Sequence, residues 1–299
     1  PLPFLLGPLT AILIAALAGA PVKDAGTLGK LMRTILGVAI GASITPDLVA
    51  RMPQMAASLA LVPLYVIAIA AIGVPFFRRV YGFDPVTAWY AAMPGGLQDM
   101  VLFGQEAGGN TRTLALIHAT RVMIIVMITP FLLVHLFDAG LDNPIGAPAA
   151  TLPPHEMAIM AAAAILGWKG AERIGMFGAP ILGPMILTVI LSLTDIIHFR
   201  PPAEAILSAQ FFIGLTLGAG YAGVTLPEIR RDVVAGIFFV VIVAALAAVF
   251  TEAVILFGLA PPVDGFLAFV PAGQAEMAVL AIIVGADPGY VVLHHVTRV

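Results

Sequence analysis

MPGGLQDM at residues 93–100 and VPAGQAEM at residues 270–277 decide how this chain folds. Each places a proline and small residues inside an apolar stretch, with an acid five residues after the proline: Pro94-Gly95-Gly96 then Asp99, and Pro271-Ala272-Gly273 then Glu276. Proline lacks the amide hydrogen a helix interior needs and glycine loosens the backbone, so each stretch reads as an interrupted helix. Working outward, Leu6-Gly7-Pro8 recurs as Leu182-Gly183-Pro184, and Gly37 with Gly41 recurs as Gly214 with Gly218. His118-Ala119-Thr120-Arg121 recurs as His295-Val296-Thr297-Arg298. The offset is about 177 residues, one less at Leu-Gly-Pro. Chance matches between apolar helices would not hold His, Arg, Pro and acids together in one order. The chain is an internal duplication.

The surroundings of these motifs set the solvent. Of 299 residues, 61% are hydrophobic and only 10% charged, and mean hydropathy is +1.06. A soluble surface needs far more charge than that, so the expected class is an all-α integral membrane protein. A net charge of −3 and the lack of any Lys/Arg-rich run exclude a nucleic-acid surface. The absence of cysteine removes disulfides, iron–sulfur clusters and thiolate zinc sites.

Apolar stretches near span length occur at about 3–20, 29–44, 55–77 and 113–137, and again at 179–195, 203–221, 232–257 and 288–299. A further one at 155–170 has no partner at the start of the chain. The domains are therefore read as a first repeat over 1–137, its N-terminal helix missing, a linker over 138–154, and a second repeat over 155–299, its last helix truncated.

From Asp84 to Pro94 is about 15 Å of helix, enough to reach only mid-bilayer, so the stretch is either a broken span or a re-entrant hairpin. Basic residues separate the two, because cytoplasmic loops are enriched in them. With re-entrant hairpins, one side holds Lys23, Lys30, Arg78, Arg79, Arg112, Lys169, Arg173, Arg230 and Arg231, the other Arg51 and Arg200: nine against two. With full spans the split is five against six. The charges favour inverted repeats, each with a Pro-Gly interrupted hairpin, which is a transporter architecture.

The candidate solute or ion site is made of Pro94, Gly95, Gly96, Asp99, His118, Arg121, Pro271, Gly273, Glu276, His295 and Arg298. Broken helices free backbone groups at membrane depth, either for a ligand or for a packed kink. Carboxylates there usually face a cavity or a partner. His118 and Arg121 share one helix face, as do His295 and Arg298. They read equally as an anion and proton site or as internal ion pairs, Arg121 with Asp99 and Arg298 with Glu276. Glu106 stands opposite Ile283 and carries less weight, and the adjacent His294 and His295 point to different helix faces, so no metal site is expected. The paired glycines and Leu-Gly-Pro read as packing features.

The run MPGGLQDMVLFGQEAGGNTRTLALIHATR from Met93, PAGQAEMA from Pro271 and the duplicated Leu-Gly-Pro resemble the bacterial AbrB-type membrane family, whose members are often labelled ammonia monooxygenase or regulator. The resemblance implies a duplicated, multi-pass protein of the bacterial inner (plasma) membrane with a transport role. The expected function is a secondary transporter of a small solute, leaning to an organic anion or amino acid and to proton coupling. The alternative is a membrane-embedded regulatory or oxidoreductase subunit. No enzyme activity and no cofactor are expected. The expected partners are the solute and the lipid bilayer, with no nucleic acid, and self-association into a homo-oligomer is left open.

Overall fold

A computed structural model describes residues 3–23, 25–176 and 178–298, apart from the side chains of residues 47, 48, 52, 98, 99, 102 and 275. Every regular element among them is helical. The first half comprises α1 (Pro3–Leu17), α2 (Gly26–Gly41), α3 (Pro46–Leu59), α4 (Leu61–Pro75), α5 (Pro85–Ala92), α6 (Leu97–Glu106) and α7 (Thr111–Phe137). After a connection holding one 3-10 turn come α8 (Pro154–Arg173), α9 (Ala179–Leu193), α10 (Ala203–Ala219), the single turn α11 (Leu226–Glu228), α12 (Val234–Leu256), α13 (Pro262–Phe269), α14 (Gln274–Val284) and α15 (Pro288–Thr297). Two π-helical turns, Phe76–Val80 after α4 and Ile229–Val233 before α12, each carry an arginine pair.

Three helical stretches are long and apolar enough to cross a membrane: Pro53–Val80, Thr111–Phe137 and Leu226–Leu256. The apolar window at 29–44 is shifted, since α2 runs Gly26–Gly41. The helix there takes in Lys30 and Arg33, which an apolar window penalises.

Glycines set which helices meet. A Cβ on Gly37 would strike the Ile181 carbonyl, and one on Gly41 would lie 2.6 Å from that of Met185. Likewise a Cβ on Gly214 would strike the Leu5 carbonyl, and one on Gly218 would lie 2.7 Å from that of Leu9. Small residues four apart thus let backbones touch, as in membrane helix pairs generally. The contacts advance in step, so α2 runs parallel to α9 and α10 parallel to α1. By contrast, α4 and α12 run antiparallel. Phe77 at the end of α4 meets Phe239 near the start of α12 (ring centroids 4.7 Å apart), while Tyr65 meets Phe250 (5.1 Å).

Between α5 and α6, and between α13 and α14, the chain turns back on itself. The residue before a proline is pushed out of the helical region, and Met93 (ψ 136°) and Val270 (ψ 127°) are both extended. The next helices restart after Gly96 and Gly273, again extended. The returning arm ends beside the start of the outgoing one: the Asn110 amide donates to Thr87 Oγ1 at 2.8 Å, and the Asp287 amide to Asp264 Oδ1 at 2.7 Å. The mouth of the first hairpin lies beside the start of α12, where Arg112 pairs with Glu228 at 2.8 Å and Thr113 donates to Asp232 at 3.1 Å. The second mouth lies beside α3, where Arg51 pairs with Asp287 at 3.2 Å.

Candidate functional site

A helix that stops in apolar surroundings leaves carbonyls without partners, and an unmet buried carbonyl is costly. At the first hairpin, α7 supplies the donors. Arg121 donates to the carbonyls of Met93 (3.0 Å) and Gly95 (2.7 Å), on either side of Pro94, and His118 Nε2 donates to that of Tyr90 (2.9 Å). At the second, Arg298 donates to the carbonyls of Val270 (2.8 Å) and Ala272, and His295 Nε2 to that of Leu267 (2.9 Å). The arginines are 2% and 8% exposed and the histidines 0% and 1%, so these bonds are made away from water. The three-residue spacing of His and Arg lets one helix face serve two carbonyl levels of the broken helix. The cations also sit at the negative C-terminal ends of α5 and α13.

A carbonyl only accepts, so Nε2 of each histidine carries the hydrogen and the neutral ring presents its Nδ1 lone pair. In the second hairpin that lone pair faces Arg298, 2.9 Å away. In the first, His118 Nδ1 has no partner among the described residues.

In front of the two tips lies one cavity of about 610 Å³. Gly95 and Gly96 line it from the first tip, and Ala272 and Gly273 from the second. Glu276 and Arg298 reach it, together with Lys30 and Arg33 of α2. Its rim is polar and exposed at Lys30, Glu106 and Glu172, so the cavity opens at the end that carries the first mouth. Glu276, in the first turn of α14, folds back over Gly273 so closely that a side chain there would collide with its carboxylate.

The expected site residues therefore divide. Gly95, Gly96, Gly273, Glu276, His295 and Arg298 meet at the cavity. Pro94 and Pro271 are buried within the breaks, and His118 and Arg121 stand behind the first tip. Arg298 holds backbone carbonyls and His295, whereas the charged group acting on Glu276 is Arg33. The Asp99 side chain, and with it the pairing expected for Arg121, lies outside the described residues. His294 serves elsewhere: it donates to the Tyr290 carbonyl and meets Ser58 of α3 at 3.1 Å.

Arg33 was missing from the sequence reading. Its counterpart at the repeat spacing is Gln210, so a search weighted toward recurring residues passes over it. The available signal was an arginine seven residues into an apolar helix.

A family model described as "Transition state regulatory protein AbrB" matches residues 4–299. The chain belongs to the AbrB family. A curated AbrB-like relative, the uncharacterized protein YhjN of Bacillus subtilis (strain 168), is 28% identical over 287 residues, which is 90% of this chain and 74% of the relative. For an AbrB chain the regulatory wording of the description has little chemistry here to attach to, whereas the cavity between the tips has a good deal.

Proposed function

We propose that this AbrB chain is a secondary transporter that carries a small organic anion or amino acid across the bacterial inner (plasma) membrane. The observation that carries the reading is the single cavity lined by both Pro-Gly tips and by Glu276, Arg33 and Arg298. Interrupted helices meeting around a charged pocket are how carriers place a solute site at mid-membrane depth.

The topology supports inverted repeats with re-entrant hairpins. Because α9 runs parallel to α2 and α10 parallel to α1, the two Leu-Gly-Pro helices, α1 and α9, run in opposite directions. The two hairpin mouths also lie against opposite ends of the antiparallel α4 and α12. Arg78, Arg79, Arg112, Arg230 and Arg231 cluster at the first mouth, the end to which the cavity opens, and the positive-inside rule makes that end cytoplasmic. The cavity then faces inward in this conformation.

Thermal-shift screening of purified protein against organic acids, amino acids and amines should return a stabilising solute, and proteoliposomes should accumulate that solute down an imposed ion gradient. A stabilising solute that never crosses the membrane would sink the reading. The chain has no native cysteine, so topology is separately testable. Single cysteines replacing Arg79 and Asp142 should label from opposite faces; labelling from one face overturns the inversion.

A further inference from the structure

We infer that Arg33 binds the carboxylate of the solute and that Glu276 competes for it, so that one proton crosses with each organic carboxylate. This rests on the transport reading above and goes further by naming the substrate class, the ligand and the coupling group.

Three cations border the cavity, and they are not alike. Arg298 is tied to the carbonyls of Val270 and Ala272 and to His295 Nδ1. Lys30 is exposed at the rim, where Glu172 answers its charge. Arg33 sits deeper, half-buried, on the same helix face three residues on. It is also the cation that acts on Glu276. Glu276 in turn is fixed to the second tip, its carboxylate lying over Gly273 at the start of α14.

Counting charge in the inner cavity gives the coupling. Arg33 and Glu276 together are neutral. A carboxylate arriving on Arg33 leaves one uncompensated negative charge in an apolar surround, which is costly. A proton on Glu276 removes it. The O–H bond forms on the Glu276 carboxylate, no other bond changes, and on the far side proton and carboxylate depart together. Empty and doubly loaded cavities are both neutral, and the singly loaded ones are penalised, so solute and proton move as a pair. The other charged groups near Glu276 do not alter this balance. Arg298 is held by backbone in the first break's image, His295 is neutral by its bonding, Glu106 and the Lys30–Glu172 pair stand at the rim, and Asp264 lies at the far mouth.

The test uses the full chain in detergent and in proteoliposomes, with lactate, succinate and citrate as probes in mildly acidic and mildly alkaline buffer. At least one carboxylate should bind the wild type about tenfold tighter in acid. Glu276→Gln should bind it equally at both pH values, and should exchange it across the membrane without responding to a pH gradient. Arg33→Gln should lose binding at both, with Arg33→Lys recovering part of it, while all three variants melt near the wild type. Uptake by the wild type should be insensitive to membrane potential. Failure of every carboxylate to bind, pH dependence that survives in Glu276→Gln, or undiminished binding by Arg33→Gln would each overturn the inference. Transport of an amine or an uncharged solute would overturn it too, yet leave the transporter reading standing. Absence of any transport would count against that reading itself.

Discussion

The two hairpin tips share a backbone scaffold and differ in what surrounds it. In both, one arginine bridges the carbonyls flanking a proline and one histidine takes the carbonyl a turn earlier, at identical sequence separations. Around the second tip, the histidine also meets its arginine, and that arginine borders the cavity beside Glu276. Around the first, Arg121 and His118 are sealed behind the tip. The mouths differ as well: Thr87 and Asn110 close the first, Asp264 and Asp287 the second, with Arg51 added. What is repeated satisfies the backbone. What is not repeated puts charge where a solute or solvent can reach it.

The largest effect should come from breaking the repeated part. Arg121→Ala strips charged hydrogen bonds from two buried carbonyls, worth roughly 1.5–3 kcal/mol each. Stability measured by melting in detergent should fall by about 3 kcal/mol or more, and Arg298→Ala should match it. Lysine is a point donor without the guanidinium fork and cannot span both carbonyls, so Arg121→Lys should recover only part. If Arg298→Ala instead melts like the wild type, the second arginine is not a backbone brace and the two tips are less alike than their bonds indicate.

A second contrast uses one motif in two settings. Gly183 lies against the backbone of Gly167 on α8, and a Cβ there would also meet Ala171; Gly7 has nothing within 4 Å of the same position. Gly183→Ala should therefore cost on the order of 1–3 kcal/mol, as overpacking does, while Gly7→Ala should be neutral. Equal losses would mean that Gly7 is covered in the membrane by something else.

The mouths should respond more mildly. Asn110 caps α7 by accepting from the Thr113 amide (3.1 Å), and Asp287 caps α15 by accepting from those of Gly289 (2.9 Å) and Tyr290 (3.1 Å). Loss of a cap costs about 1 kcal/mol, so Asn110→Ala and Asp287→Ala should each lower the melting point slightly. The Arg51 pair adds little, because Arg51 is 57% exposed. A much larger loss for Asp287→Ala would show that the second mouth carries weight beyond its cap.

These contrasts also show what the sequence could reveal. Proline, glycine, arginine and histidine at a constant offset disclosed the breaks and their bracing helices, because those residue types are rare and conspicuous in apolar surroundings. The arginines' partners stayed hidden, since a backbone carbonyl has no letter of its own. The obvious partners on paper were Asp99 and Glu276, the nearest residues of opposite charge. Arg33 stayed hidden for the converse reason: it departs from the repeat, with Gln210 in the matching place. The pairing of α1 with α10 and α2 with α9 exchanges helices between halves, and glycine spacing announces a close contact without naming the partner.

The smallest expected effect lies outside both tips, in the connection between α9 and α10, and concerns pH. Glu156, buried at the start of α8, accepts from the backbone amides of His198 (3.0 Å) and Phe199 (3.3 Å) and from His198 Nδ1 (2.9 Å). His198 Nε2 reaches Asp195 at 3.2 Å. The hydrogen bond to Glu156, aided by the charge of Asp195, raises the pKa of His198 above its ordinary value of 6.5. A group whose pKa is higher folded than unfolded binds more protons in the folded state, so its contribution is complete below the unfolded value and fades as pH rises through the folded one. The melting temperature in detergent should thus decline modestly between mildly acidic and mildly alkaline buffer, and His198→Gln should flatten that decline. The first hairpin has no such histidine at its mouth, so a slope that persists in His198→Gln would place the titrating group elsewhere. Because the His198 side chain is half exposed, added salt should also shrink the slope by screening its two carboxylates; a salt-independent slope would contradict the assignment.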